Sequence, residues 1–533
     1  MNNRYLTPLA ILSLVGLIAC TPTRVGDQVA LNSPATWQHA PDTRTAETVD
    51  LKTWWQGFND PLLNELIDQA LAANHDIKIA TARVREANAM VTVAEAALYP
   101  SLDFSLSGGR EKRIDRIVGV PSGQGIKLIT PTADAVSGGL AARWEIDLFG
   151  GRHLEAEAAA AQAQGSQEGL HAAQVGLLAQ VATNYLQLRG VQQRTGILQN
   201  NIALQRERLR TLQAFVKAGL ANEADLARQQ TLLQGTEATL PGLVNAEQNL
   251  IHRLGVLLGE PPESLGNRLA TVGPPPNEAL NQLIPFMVRQ AHHERNQPLA
   301  VRPEPFGDAQ ESLVDGAIQG SPRSLPAMPK LLPADLLAQR PDLRLAQTEV
   351  SAAAASLGSA RADLYPKLVL SASGGLGALA VGGFPSLADS VYALGSGLSA
   401  PIFNAGRIRA QITAADARLE QVAANYEKTF LLALEDVENA FVAHRSATDS
   451  AARLTQAEAS AEKAYRLVDA LYQRGAATYL AVLDAQRSKL EVSDERAKAE
   501  TAVSVAMVSL YRAFGGGWAL DSSVNAVANA SAR

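Results

Sequence analysis

The stretch from Arg407 to Arg474 decides the fold: RIRAQITAADARLEQVAANYEKTFLLALEDVENAFVAHRSATDSAARLTQAEASAEKAYRLVDALYQR. These 68 residues contain neither glycine nor proline, so no helix breaker interrupts them. At 1.5 Å per residue, one helix through them would be roughly 100 Å long, whereas an average globular helix has about 11–12 residues. Apolar residues at steps of three and four mark one seam: Leu419, Val422, Tyr426, Phe430, Leu434, Val437 and Phe441. Such a helix must pack laterally on neighbouring helices.

The end of this stretch predicts a helical hairpin. Gly475 follows it directly and can adopt the left-handed conformation that ends many helices. We therefore expect a long helix over 407–474 and a second helix over 476–514 that runs back antiparallel. The first half has a matching pair, a long helix over 152–218 and a return helix over 222–258. Several glycines leave open whether the first long helix bends.

The chain carries two related halves. Leu98-Tyr99-Pro100 parallels Leu364-Tyr365-Pro366. The same offset carries Leu102, Ser105, Ser107, Gly108 and Gly109 onto Leu368, Ser371, Ser373, Gly374 and Gly375. Gly151-Arg152 parallels Gly406-Arg407, and Phe215–Gly219 parallels Leu471–Gly475. Matches in the same order indicate a duplication, with repeats at 61–259 and 334–518.

Each repeat contains two segments in which apolar and polar residues alternate by two, as in a half-exposed strand. Strands are predicted over 101–113, 135–149, 366–378 and 390–403. Leu102, Phe104 and Leu106 share one face, opposite the serines and Asp103. Each segment is near the ~9–11 residues that a membrane strand needs. The alternation suits a barrel with a wet lumen, and a soluble half-buried sheet is the alternative.

The number of strands predicts an oligomer. Four strands cannot close a barrel, since about eight is the practical minimum. Two chains would supply eight strands, which enclose an interior filled by side chains. Three chains would supply twelve, and an open lumen becomes possible. A conduit therefore predicts a homotrimer.

Composition narrows the class of protein. The chain has 47 basic and 53 acidic residues and a formal net charge of −6, which argues against nucleic acid as the main partner. Residues 260–333 hold 13 of the 26 prolines and are expected to form an irregular linker between the repeats. The small, polar residues 519–533 are expected to be a flexible tail.

The N-terminus predicts export and a lipid anchor. Residues 1–19 have the length and apolar character of a signal peptide. They end in Leu17-Ile18-Ala19 before Cys20, which resembles the bacterial lipoprotein box, where the signal is cut and the cysteine acylated. Residues 20–60 would then be a lipid-anchored segment, held by acyl chains worth about 0.8 kcal/mol per buried CH₂. The alternative is an ordinary secretory signal with an incidental cysteine.

No catalytic pattern is present in the sequence. HExxH, GxSxG and a phosphate-binding P-loop are all missing. His292-His293-Glu294 is too compact for a zinc site, because neighbouring residues point to different faces. The single cysteine excludes an internal disulfide and a cysteine-based metal cluster. The sequence therefore predicts no enzyme, no cofactor and no metal, so transport energy would come from a partner.

A set of motifs resembles the TolC-like outer-membrane efflux factors, in particular the lipoprotein branch of OprM or NodT type. The motifs are the lipoprotein box, Trp54-Trp55, Trp144-Glu145-Ile146-Asp147-Leu148-Phe149-Gly150, Arg340-Pro341-Asp342, Leu483-Asp484-Ala485-Gln486-Arg487 and Gly515-Gly516-Gly517-Trp518. The resemblance spans about residues 20–518. Residues 285–325 depart from it, because the family is usually shorter there.

The resemblance implies a mixed α and β membrane protein with duplicated halves. Three copies would form a 12-stranded transmembrane β-barrel in the outer membrane of a Gram-negative bacterium, continuous with a long periplasmic α-helical barrel. It also implies two protein partners, a periplasmic adaptor and an inner-membrane pump of the resistance–nodulation–division type.

The resemblance places a gate at the periplasmic tip. Leu480 would form an apolar constriction, Asp484 a ring of three carboxylates, and Arg487 an ion pair near the gate. Steps of four and three put these residues on one helix face. The alternative is an exposed intrahelical ion pair worth a few tenths of a kcal/mol. The adaptor would contact the two turns at these residues: Gly219, Asn222, Gly475 and Thr478.

The resulting hypothesis is a passive outer-membrane conduit for small molecules such as drugs and toxic compounds. One alternative is the outer-membrane duct of a protein-secretion system. Another is a lipid-anchored periplasmic rod, which would need the long helices but not the amphipathic strands.

Overall fold

The computed structural model describes residues 31, 33–40, 51–112, 117–118, 127–128, 132–269, 325–326, 328, 333–381, 384–385 and 389–518. The predicted signal peptide, Cys20, His292-His293-Glu294 and the tail 519–533 lie outside the described residues, as does most of the proline-rich segment.

The chain divides into two compact units. The strand unit contains Ala80–Gly169 and Asp342–Phe430, and the helical unit contains Ser33–Ile79, Leu170–Pro341 and Leu431–Arg533. Each unit therefore takes segments from both halves of the sequence.

Eight helices of more than two turns lie in the described residues. Those of the first half are α1 (Pro61–Ala73), α2 (His75–Ala96), α3 (Gly151–Lys217), α4 (Glu223–Glu237) and α5 (Leu240–Leu258). Those of the second half are α6 (Pro341–Ala362), α7 (Arg407–Gln473) and α8 (Tyr479–Ala513). Short helical turns lie at Trp54–Phe58, Pro262–Leu265, Gly266–Leu269, Pro333–Asp335 and Leu336–Gln339.

The two long helices, α3 and α7, have 67 residues each. Glycines do not interrupt α3, and two of them bring other helices close. A Cβ on Gly165 would lie 2.8 Å from the hydroxyl of Thr348, and one on Gly190 would lie 2.1 Å from that of Thr501. These glycines therefore serve close helix packing.

The return helix of the first half differs from the prediction of one helix over 222–258. It is divided into α4 and α5, with Ala238 and Thr239 between them. Pro241 is the physical reason, because its ring would clash with the carbonyl of residue 237 in an unbroken helix. It is tolerated here in the first turn of α5.

The strands are β1 (Ser101–Lys112), β2 (Ile117–Val118), β3 (Lys127–Leu128), β4 (Thr132–Ile146), β5 (Lys367–Val381), β6 (Phe384–Pro385) and β7 (Asp389–Ser399). The four long ones form an antiparallel sheet in the order β1-β4-β5-β7. Pairing of β4 with β5 joins the two repeats. Against the predictions, β4 ends three residues early and β7 four residues early, while β5 extends three residues further.

The register places apolar side chains on one face of the sheet. Phe104 lies opposite Leu140, and Trp144 lies opposite Leu370. The exposed members of this face are Leu102, Phe104, Leu106, Val136, Leu140, Trp144, Leu376, Tyr392, Leu394 and Leu398. The other face carries Asp103, Arg143 and serines, among which Ser107 and Ser137 are hydrogen-bonded at 2.8 Å. An apolar surface of this extent is normally covered by lipid or by another protein surface rather than by water.

Aromatic residues form the core of the helical unit. Trp54 stacks on Tyr511 with ring centroids 5.0 Å apart, and Trp518 stacks on His171 at 4.4 Å. Trp37 packs edge-on against Phe514. These contacts fix the segment before α1 and the end of α8 in one place.

Arg340 ties the start of the second repeat to the end of α8. Its guanidinium donates to the carbonyl oxygen of Ala513 at 2.9 Å and to the carboxylate of Asp436 at 3.2 Å. The backbone turns from an extended Arg340 into α6 at Pro341, the first position that proline tolerates in a helix.

Among the described residues, every helix is either too short or too polar to pass through a lipid bilayer.

Candidate functional site

Two turns of the helical unit are built in the same way. Gly219 follows the end of α3 and Gly475 follows the end of α7, and each has a φ of +74°. In each turn the residue after the glycine donates its N–H to the carbonyl five residues back, Leu220 to Phe215 and Ala476 to Leu471, both at 2.8 Å. This is the hydrogen bond of a Schellman cap.

Side-chain caps start the helices that follow. The carboxamide oxygen of Asn222 accepts from the N–H of Ala224 at 2.8 Å, and the hydroxyl of Thr478 accepts from the N–H of Ala481 at 3.4 Å. The four residues predicted to contact an adaptor are therefore the cap residues of both turns. Leu220 beside them is 76% exposed, so the first turn presents an apolar side chain to solvent.

The three predicted gate residues lie on the first turns of α8. Leu480 is half-exposed, and Asp484 and Arg487 are largely exposed. The guanidinium of Arg487 lies 3.7 Å from the Asp484 carboxylate and 3.7 Å from that of Glu491. These distances are longer than a hydrogen bond, so in a single chain the contact is a weak, exposed intrahelical pair.

The opposite face of α8 is buried. Tyr479 and Leu483 pack with Leu212 of α3. The Tyr479 hydroxyl donates to the Oε1 atom of Gln229 at 2.6 Å, and burial raises the pKa of Tyr479 to about 12. The buried face therefore fixes which residues of α8 point away from the protomer.

The comparisons with known proteins decide the family. The sequence model of the family described as outer membrane efflux protein matches residues 66–260 and 332–516.

The chain belongs to this family of outer membrane efflux proteins.

It is 30% identical over 521 residues to the pyoverdine export outer membrane protein OpmQ of Pseudomonas aeruginosa, and the aligned region covers 98% of each chain. It is 28% identical to nodulation protein T of Rhizobium leguminosarum bv. trifolii, over 91% of each chain. The solved structure of the outer-membrane channel OprN is similar with a TM-score of 0.71 and 28% identity, over 93% of this chain and 99% of that one.

These comparisons confirm the resemblance and the function predicted from the sequence. The chain is an outer-membrane efflux channel, the outer-membrane component of tripartite efflux. The family model matches in two separate pieces, in keeping with a duplicated α and β channel. Family and fold are those of channel proteins rather than enzymes. In the part of the chain that the structure describes, no cluster of three metal-ligating side chains occurs.

Sequence reasoning on this efflux channel missed the ion pairs that join α3, α7 and α8. Arg208 of α3 donates to Asp469 of α7 at 2.8 Å, and Arg194 of α3 pairs with Asp494 of α8 at 2.6 Å. The Lys489 ammonium pairs with Glu462. Charged residues at helical spacing were visible in the sequence, but the partners of Arg208 and Arg194 lie 261 and 300 positions away.

These ion pairs lower the pKa values of two of the carboxylates that they contain. Burial alone would raise the pKa of Glu462, but hydrogen bonds from Lys489 and Arg466 outweigh it and the pKa lies below its usual value. The pKa of Asp494 is lowered in the same way by Arg194 and Lys498. Both carboxylates are therefore charged near neutral pH, as ion pairs require.

The motif at 144–150 forms the corner between β4 and α3. The Nε1 atom of Trp144 donates to the carbonyl oxygen of Leu98 at 2.9 Å. Arg152 donates two hydrogen bonds to Glu145, at 3.3 and 3.1 Å. A second carboxylate in the motif, that of Asp147, accepts from the N–H of His153 at 2.8 Å. The motif residues of this channel therefore fix how its strand enters its long helix.

Proposed function

We propose that three copies of this efflux channel form one conduit. The observation that carries this is the sheet of four long strands, in which β1 and β7 have no neighbour on their outer edges among the described residues and one apolar face is exposed. Backbone groups inside a bilayer must all be paired, so a membrane sheet must close on itself. Three copies supply twelve strands, enough for a barrel with an open lumen. Their long helices would continue as a helical barrel in the periplasm.

The mass of the purified protein tests this proposal. Native mass spectrometry in detergent is expected to give three chains, and the same sample should conduct ions in a planar bilayer. A single-chain mass together with the absence of conductance would contradict the conduit.

The lumen of such a conduit would be polar. The sheet face opposite the apolar one carries Asp103, Arg143 and serines, which suit a water-filled interior. The conduit would therefore conduct solutes passively, and the energy would come from the inner-membrane pump. OpmQ is named for the export of pyoverdine, which favours small molecules as the cargo of this chain.

A gate at the start of α8 belongs to the same proposal. Leu480, Asp484 and Arg487 lie on the face of α8 that points away from the protomer, and Tyr479 and Leu483 on the buried face prevent the helix from turning. In a trimer, three Asp484 carboxylates would converge, repel one another and attract cations. Three Leu480 side chains would form a ring that resists wetting.

The two turns are the proposed docking site for the periplasmic adaptor that links the channel to a pump of the resistance–nodulation–division type. Gly219, Asn222, Gly475 and Thr478 give both turns a fixed, similar shape. Cysteines at Asn222 and Thr478 are expected to cross-link to the adaptor in cells, whereas a cysteine at the exposed Arg453 within α7 should not.

We also propose that Cys20 carries the lipid anchor of the mature protein in the outer membrane. The lipoprotein box Leu17-Ile18-Ala19-Cys20 supports it. The mass of the N-terminal peptide should show acyl chains on Cys20, and Cys20→Ala should abolish them. An unmodified thiol in the mature wild-type protein would contradict the anchor.

A further inference from the structure

The face of α8 that carries the three gate residues continues beyond Arg487. Steps of four, three and four join Leu480, Asp484, Arg487 and Glu491, and such steps keep side chains on one side of a helix. The side chains of Asp484 and Arg487 are 60% and 63% exposed, and that of Glu491 is 68% exposed. Glu491 is therefore as open to solvent as the two charged residues proposed for the gate.

The buried side of α8 fixes the orientation of Glu491 as well. Its neighbour Leu490 packs against a buried cluster formed by α3 and α4. Two turns earlier, Leu483 packs against α3. Contacts at two levels of the helix prevent α8 from rotating about its axis, so Glu491 stays on the side that points away from the protomer.

Arg487 lies between two carboxylates of its own helix. Its Nη2 atom is 3.7 Å from a carboxylate oxygen of Asp484, and its Nε atom is 3.7 Å from one of Glu491. By comparison, the Lys498 ammonium of the same helix lies 2.8 Å from the carboxylate of Asp494. The Arg487 guanidinium is therefore shared, and it forms a close pair with neither carboxylate.

The charges at the start of this face do not balance. Asp484 and Arg487 cancel each other, and the negative charge of Glu491 is left over. The next charged groups along the helix are balanced, two carboxylates by two cations: Asp494 and Glu495 by Arg194 of α3 and Lys498. One negative charge in each chain therefore remains at the first turns of α8.

We propose that Glu491 is a specificity-determining residue of the conduit, because its carboxylate gives the gate the excess negative charge that favours cations. This inference rests on the proposed trimer and gate. Three copies stack a ring of Asp484, a ring of Arg487 and a ring of Glu491 along the lumen. Without Glu491, the arginine ring would neutralise the ring of Asp484 and leave the gate without net charge.

The spacing of the rings makes them act together on a passing ion. At 1.5 Å per residue, Asp484 and Arg487 are about 4.5 Å apart along the helix, and Glu491 is about 6 Å further. Charges in water are screened over about 8 Å at physiological salt. Each ring lies within that distance of the next, so an ion at the gate responds to their net charge rather than to Asp484 alone.

Ion selectivity tests the role of Glu491. Under a gradient of potassium chloride across a planar bilayer, the reversal potential of the wild-type trimer should show a preference for K⁺ over Cl⁻. Glu491→Gln keeps the size of the side chain and removes its charge, so it should lower the ratio of K⁺ to Cl⁻ permeability about two- to threefold. Arg487→Gln should raise the ratio, because two carboxylate rings then remain. Glu491→Asp keeps the charge and should retain the wild-type ratio.

The matched control is Glu223→Gln, which removes an exposed carboxylate from the first turn of α4 and should leave the ratio unchanged. An equal loss of selectivity in Glu223→Gln and Glu491→Gln would overturn the proposal, since any surface charge would then have the same effect.

A comparison with Asp484→Asn separates this role from the gate itself. Selectivity that is lost in Asp484→Asn but kept in Glu491→Gln would overturn the role of Glu491 and leave the gate intact. Selectivity that none of the charge variants alters would contradict the gate. Native mass spectrometry shows whether each variant is still a trimer, and a single-chain mass of the wild type would contradict the trimer.

Discussion

At the scale of single residues, the turns depend on two glycines with the same backbone conformation. Gly219 and Gly475 both have φ of +74°, and a Cβ at either would meet no atom within 4 Å. Steric contact with other side chains is therefore not what requires glycine. The left-handed conformation itself disfavours any other residue by roughly 1–2 kcal/mol.

Gly475→Ala is expected to lower the free energy of unfolding by about 1 kcal/mol, because the Cβ of alanine is strained at positive φ. The control is Gly196→Ala inside α3, where a Cβ also meets nothing within 4 Å but the backbone is helical. It should stabilise by about 0.5–1 kcal/mol. Thermal unfolding in detergent measures both, and equal shifts would contradict the argument from φ.

Asp484 and Leu480 give a second residue-scale prediction. Asp484→Ala removes the three converging charges and Leu480→Ala removes the apolar ring, so each should raise the ion conductance of the purified trimer in a planar bilayer. The control is Glu223→Ala, which removes an exposed carboxylate from the first turn of α4 instead. Unchanged conductance for both gate variants would count against the gate.

At the scale of elements, ion pairs between helices join α3, α7 and α8. Glu462 and Asp494 both have a lowered pKa in the folded protein, since the cations beside them outweigh the effect of burial. A carboxylate with a depressed folded pKa stabilises the protein above its unfolded pKa of about 4, and that contribution is lost as pH falls through the folded value.

Thermal stability should therefore fall as pH drops below about 4, and part of that fall should depend on Asp494. In Asp494→Asn the melting temperature near pH 7 should be lower than in wild type, and the difference should shrink in acid. The exposed Asp449, replaced by Asn, serves as the control and should follow wild type at every pH. A difference that stays constant with pH would contradict this origin.

At the scale of the whole molecule, the pairing of β4 with β5 joins the two repeats in one sheet. Just beyond these strand ends, the ring of Phe149 stacks on that of Tyr365, with centroids 4.7 Å apart. The long strands of one chain leave an apolar face exposed, and the proposed trimer would supply enough strands to close the sheet into a barrel.

Much of the secondary structure was predictable because its signals are local. The absence of glycine and proline over 407–474 predicts a helix, and α7 occupies Arg407–Gln473. Alternation by two predicts the strands, and the register puts Phe104 and Leu140 on one face. The break between α4 and α5 was also encoded in the sequence, by Pro241, but the prediction of one helix over 222–258 overlooked it.

The end of β4 and the ion pairs could not be read from the sequence. The end of β7 could be, because the strand stops at Ser399, two residues before Pro401, which has no N–H to donate to a strand ladder. Arg194 meets Asp494 only because α3 and α8 pack in one particular alignment. The spacing predicted that Leu480, Asp484 and Arg487 share one face of α8, but the packing of Tyr479 and Leu483 decides which way that face points.

The sequence by itself determined the family, the duplication, the long helices and the glycines that end them, because each depends on a local or repeated pattern. Only the tertiary structure decided the strand register, the ion pairs between helices and the stack of Phe149 on Tyr365. Many of these contacts join residues far apart in the sequence, and their geometry exists only once the elements have packed.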